Sequence, residues 1–149
     1  MTNPAALEPA ERLFVALDTT DAEVAVGLAK SLKGVAGGVK LGKEFFTAHG
    51  PAGVARVAAE GLPVFLDLKF HDIPNTVAGA VRAARAMKPF MLNVHASGGA
   101  AMMRAAAKAA AEPGNSRPLV LAVTVLTSLD EDDLRAVGMR PPVVDQAVR

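Results

Sequence analysis

The sequence holds 149 residues, with 16 Lys and Arg against 15 Asp and Glu for a net charge of +1, which gives no support to nucleic-acid or anionic-membrane binding. It contains no Cys, Trp or Tyr, so a disulfide framework, a thiolate metal site and a cysteine nucleophile are excluded, and base-stacking platforms are not expected. Hydrophobic residues make up 51%, the length suffices for one domain with a real core, no apolar run reaches transmembrane length, and the opening MTNPAALEPAERL lacks a basic segment followed by an apolar stretch. The expectation is a soluble cytoplasmic protein forming one domain over residues 1–149.

Taken in order, the chain alternates strand and helix. Residues 1–12 read as a polar lead or a first helical turn. Leu13 to Leu17 is a short continuous apolar run ending at Asp18, as in a strand covered on both faces. Thr19, Thr20 and Asp21 are N-cap residues for a helix over 22–33, which Gly34 to Gly38 end. Val39 to Leu41 is a second strand, with Lys40 between apolar neighbours. A short helix from Lys43 to His49 stops at Gly50, and Pro51 opens another that runs to Glu60.

The third strand is Pro63 to Lys69, and a helix from Pro74 to Lys88 follows it. Phe90 to His95 is the fourth strand, leading through Ala96-Ser97-Gly98-Gly99 into an Ala-rich helix over 100–111. Residues 112–118 form a turn-rich loop. Leu119 to Leu126 is the fifth strand. Ser128 and Glu131 have the spacing of a capping box for a helix that Gly138 ends. Pro141 and Pro142 start a last helix. Five βα units in succession predict a parallel sheet, and polar residues collect at its carboxyl edge, where sites form in such folds. No GxGxxG or Walker-type nucleotide fingerprint is present.

The stretch that organises the chain is Pro63 to Val77, PVFLDLKFHDIPNTV. It begins as a buried-type strand and then carries Asp67, Lys69, His71 and Asp72. Strand alternation puts Phe65, Asp67 and Lys69 on one face. Buried charges must be paired, so Asp67 and Lys69 are either a structural ion pair closing the strand or the core of a site. Asp72 adds a like charge that structure alone does not need. As a bare pattern, Asp72 is also a helix-entry carboxylate favoured by the helix dipole, and Asp18 a cap of the helix that follows it. His71 and His95 read as structural hydrogen-bonding side chains rather than metal ligands.

These residues carry a resemblance. DLKFHDIPNTV, with VALD at the first strand, VKLGKEFFTAHGP at the second, NVHASGG at the fourth and AVTVLTS at the fifth, resembles the orotidine 5′-phosphate decarboxylase family across essentially the whole chain. The resemblance implies a (β/α)8 TIM barrel, a homodimer with sites at the interface, and conversion of orotidine 5′-phosphate to UMP without metal or organic cofactor. It implies Lys69 as proton donor and Asp67 as the carboxylate beside the substrate's own. It implies Lys40, rather than Lys43, as the second ammonium, also reaching the sugar. Asp18 becomes a ribose-hydroxyl acceptor and Thr127 a substrate contact. Asp72, with Ile73 and Thr76, is implied to enter the partner subunit's site. Asn75, Ser97 and Gly98 shape loops.

A (β/α)8 barrel takes about 250 residues, and this sequence supplies five βα units. The Gln and Arg residues with which the family grips the substrate phosphate have no counterpart here. The sequence therefore reads as the amino-terminal portion of such a barrel, inactive as an isolated chain because remote phosphate binding drives this kind of catalysis. Two other classes fit the bare Asp-x-Lys-x-x-Asp pattern or the length. One is a metal-dependent sugar-phosphate decarboxylase or aldolase of the same barrel superfamily, against which Ile73-Pro74-Asn75-Thr76 speaks. The other is a non-catalytic fragment.

Overall fold

A computed structural model describes residues 7–114, 117–139 and 142–148. After a single 3-10 turn at Pro9–Arg12, five strands alternate with helices: β1 (Phe14–Ala16), β2 (Gly38–Gly42), β3 (Val64–Phe70), β4 (Met91–His95) and β5 (Leu119–Val123). The helices are α1 (Ala22–Ser31), α2 (Lys43–Ala58), α3 (Pro74–Arg85), α4 (Gly99–Ala110), α5 (Glu131–Ala136) and α6 (Val143–Val148). All neighbouring strands are parallel, and they lie in chain order from β1 to β5. This is the βα progression of a (β/α)8 TIM-type barrel.

Local chemistry sets the boundaries. The Asp21 carboxylate accepts from the Glu23 and Val24 amides and starts α1, the N-cap role expected of a short acidic side chain. Gly50 takes a left-handed φ of 56° inside α2. The two helices read from the sequence thus meet at Gly50, whose backbone is non-helical, within the continuous span of α2, and Pro51 opens the second of them. Pro74 supplies the fixed φ of the first turn of α3.

The core lies between sheet and helices. Val39, Leu41, Leu66, Leu92 and Val94 are fully buried from the strands, and Phe45, Val54, Val57, Val81 and Met102 meet them from α2, α3 and α4. On the opposite, inner face the Phe14 and Phe90 rings stack with centroids 5.7 Å apart. Phe14 precedes β2 and β3 in the sheet order, while Phe90 follows them, so this contact bridges a curled sheet. Gly38 lies beneath the Phe14 ring, where a Cβ would collide with it.

Three expectations need correction. The fifth strand ends at Val123, not Leu126, and continuous burial fails there: Leu119 and Leu121 are about half exposed. Among the described residues nothing pairs with the outer edge of β1 or of β5. The cap of α5 is Asp130 rather than Ser128. The Asp130 carboxylate accepts from the Asp132 and Asp133 amides, and Asp133 reaches back to the Asp130 amide. A carboxylate two residues nearer the helix wins this role over the serine hydroxyl. Finally, strict alternation fails in β3 beyond Asp67. Leu66 pairs with Leu92 but Phe70 with Val94, so three residues of β3 lie opposite the single residue Asn93. That is a β-bulge of the kind often found beside sites.

Candidate active site

The carboxyl edge of the sheet brings Asp18, Lys40, Asp67 and Lys69 together. Lys40 points inward from β2, which pairs with β3 in a register that sets Gly42 opposite Asp67. The Lys40 ammonium donates to Asp67 Oδ2 at 3.0 Å and lies 3.9 Å from Asp18 Oδ1. Lys69 Nζ donates to the other oxygen, Asp67 Oδ1, at 2.6 Å. Asp67 is buried, whereas both lysine side chains remain about one quarter exposed. One carboxylate therefore holds two ammonium groups at the lip of an open edge.

Lys69 reaches Asp67 from an unusual backbone. Its φ is 51°, a left-handed conformation costing a non-glycine residue about 1–2 kcal/mol. The bulge makes this possible and turns the ammonium back along the strand. Asn93, on β4, supports the turn: its Oδ1 accepts from the Lys69 amide at 2.7 Å, and its Nδ2 donates to Asp67 Oδ1 at 2.6 Å. The sequence reading passed over Asn93. Its signal was an amide in the middle of an otherwise apolar strand, FMLNVH.

Burial pushes the Asp67 carboxyl upward, but hydrogen bonds from Lys69, Asn93 and Lys40, with the Lys40 charge, outweigh it and hold the group at about 2 instead of 3.8. A carboxyl depressed in the fold adds stability that is fully present above its unfolded value and is lost as pH falls through the folded one. The urea midpoint of the protein is therefore expected to drop between pH 3.8 and about 2. Asp67→Asn should be less stable at neutral pH and nearly flat across that window. An unchanged slope in the variant would show that Asp67 is not the group responsible.

Beside the cluster, the His71 and His95 rings lie 5.6 Å apart. Burial, then the nearby His71, Lys43 and Lys69 charges, holds His95 below the ordinary histidine range against the opposing pull of Asp67. Among the described residues no three His, Asp or Glu side chains gather as a metal-binding group. Among the described residues, no hydrogen bond or ion pair joins the remaining predicted residues to the cluster. Asp72, Ile73 and Thr76 are exposed in the loop and first turn after β3, and Asp72 Oδ1 accepts from the adjacent Ile73 amide. Thr127 is exposed in the turn beyond β5.

The profile of the orotidine 5′-phosphate decarboxylase / HUMPS family matches residues 11–148. The chain belongs to this family. A relative from Rhodospirillum rubrum named orotidine 5′-phosphate decarboxylase is 54% identical over 142 residues, covering 92% of this chain and 58% of the relative. One of the same name from Paramagnetospirillum magneticum is 52% identical over 141 residues, covering 92% and 60%. The chain thus spans about 60% of the length of the curated relatives it matches. A crystal structure of orotidine 5′-phosphate decarboxylase from Lactobacillus acidophilus superposes with a TM-score of 0.76 at 36% identity, over 90% of this chain and 62% of that one. A protein of uncharacterised function from Geobacillus kaustophilus superposes with a TM-score of 0.77 at 41% identity, over 89% and 64%. No helix among the described residues is long and apolar enough to cross a membrane.

Proposed function

We propose that this chain carries the charged catalytic cluster of a cytoplasmic orotidine 5′-phosphate decarboxylase, forming UMP in pyrimidine biosynthesis. The observation that carries the reading is the two-ammonium, one-carboxylate cluster of Lys40, Asp67 and Lys69 at the carboxyl edge of a sheet of this family.

The chemistry follows from the charges. The bond from pyrimidine C6 to the carboxylate breaks, CO2 leaves, and the electron pair stays on C6. The Lys69 ammonium supplies a fixed positive charge that stabilises that pair, then donates a proton from Nζ to C6 and becomes an amine that solvent reprotonates. No metal or organic cofactor takes part in this scheme. Asp67 holds Lys69 and faces the substrate carboxylate. Lys40 fixes Asp67 and reaches the ribose with Asp18. Thr127 contacts the substrate, while Asp72, Ile73 and Thr76 serve the site of a second copy in a homodimer.

The test is loss of orotidine 5′-phosphate and appearance of UMP. The 149-residue chain is assayed alone and co-expressed with the carboxyl-terminal part of the R. rubrum relative. Alone it should turn over poorly, because no strand among the described residues pairs with the outer edges of β1 and β5, and water reaching the cluster weakens every charge interaction in it. The complemented protein should form UMP without added metal. UMP formation by neither preparation, or turnover of a sugar phosphate that requires a divalent metal, would overturn the reading.

A further inference from the structure

We infer that Asn93 is the positioning residue that fixes the Lys69 ammonium, by clamping the Lys69 backbone with one end of its amide and the Asp67 carboxylate with the other. The bulge in β3 sets three residues opposite Asn93 alone. It therefore leaves the Lys69 N–H without a ladder acceptor from the β4 backbone, and Asn93 Oδ1 takes that bond at 2.7 Å. The other end of the same amide donates to Asp67 Oδ1 at 2.6 Å, the very oxygen that holds Lys69 Nζ. Asn93 is only 2% exposed, so water cannot readily substitute at either bond.

The chemistry admits one orientation and one side-chain type. A backbone N–H only donates and an ionised carboxylate only accepts, so a flipped amide would lose both bonds. An Asp of the same length would set a second carboxylate against Asp67, and an aliphatic residue would leave both groups buried and unpaired. The left-handed φ of Lys69 is thereby held from two directions, by its amide on Asn93 and by its ammonium on Asp67.

The clamp itself does not depend on the reaction; its catalytic consequence rests on the decarboxylase reading, and the test separates the two. Asn93→Ala, Asn93→Asp and a buried control on the same strand, Val94→Ala, are compared in the 149-residue chain. Deuterium exchange at the Lys69 amide is divided by that at the Leu66 amide of the same strand, which cancels changes in global stability. This ratio should rise about tenfold in Asn93→Ala, the worth of one buried hydrogen bond, and stay unchanged in Val94→Ala. Turnover is then measured in the complemented protein. Asn93→Ala should lower kcat about tenfold or more while KM moves less than about threefold. Asn93→Asp should regain rate as pH is lowered, because a like-charged neighbour raises a carboxyl's pKa and the protonated form can again donate to Asp67. A Lys69 ratio that does not change in Asn93→Ala overturns the clamp. A changed ratio with unchanged kcat overturns its catalytic role. If no variant or parent forms UMP, the decarboxylase reading fails while the exchange ratio still decides the clamp.

Discussion

Lys69→Ala in the complemented protein is expected to lower single-turnover conversion of orotidine 5′-phosphate by a factor on the order of a thousand or more, since it removes both a fixed charge and a general acid. Lys40 cannot take over. Its ammonium is already held by Asp67 Oδ2 and lies near Asp18, on the β2 side of the carboxylate. Lys43 opens α2 and is exposed. Removing Lys69 also frees Asp67 Oδ1 from one of its two donors while leaving Asn93 in place, so the fold should survive. UMP binding, measured by calorimetry on the complemented protein, should weaken by far less than turnover does. Turnover within about tenfold of the parent would remove Lys69 from the role of proton donor.

In the complemented protein, mixing an Asp72→Asn form with a Lys69→Ala form should restore activity that neither shows alone. Within its own chain Asp72 is exposed and makes no ion pair with the cluster among the described residues. A carboxylate so placed, beside exposed Ile73 and Thr76, is available to a second copy. In a two-fold dimer each interface is self-complementary, so a residue donated by one protomer is received by the other. A hybrid then has one site lacking both groups and one site with both. Free exchange of equal amounts forms hybrids as about half of all dimers, which returns about a quarter of the parent rate. If mass spectrometry shows hybrids and no activity returns, Asp72 serves its own chain or only the loop.

The order and type of the elements were legible because each strand contains a short apolar run and some helices begin at a recognisable cap or proline, whereas α2 and α4 open behind Gly42 and Gly98 with no side-chain cap. Asp21 at α1 and Pro74 at α3 are where the sequence places them. Of the cluster, Asp67 and Lys69 were legible as paired charges at the end of a buried strand, while Lys40 and Asp18 were singled out through the family resemblance, since strand-end polarity alone also offered His95, Ser97 and Thr127. What escaped is what depends on a break in the pattern. Alternation puts Lys69 beside Asp67 on a flat strand, whereas the ammonium arrives there through a bulge and a left-handed residue. Asn93 escaped with it, since its partner is a backbone amide that an unbroken ladder would have satisfied. The half-exposed β5 escaped because an apolar run declares only that a strand prefers cover, not that cover is present.

The sequential strand order has a kinetic meaning. Every strand pairs with the one made just before it, so a chain emerging from the ribosome can add one βα unit at a time, with short loops to close at each step. Asp67 and Lys69 would be synthesised well before their clamp, since Asn93 lies 26 residues after Asp67. Until β4 docks, nothing from Asn93 holds Lys69 in its unfavourable backbone conformation. The Asp67–Lys69 pair is thus expected to take its final geometry late, on the arrival of the fourth strand, and the third strand to carry its charges in a relaxed form until then.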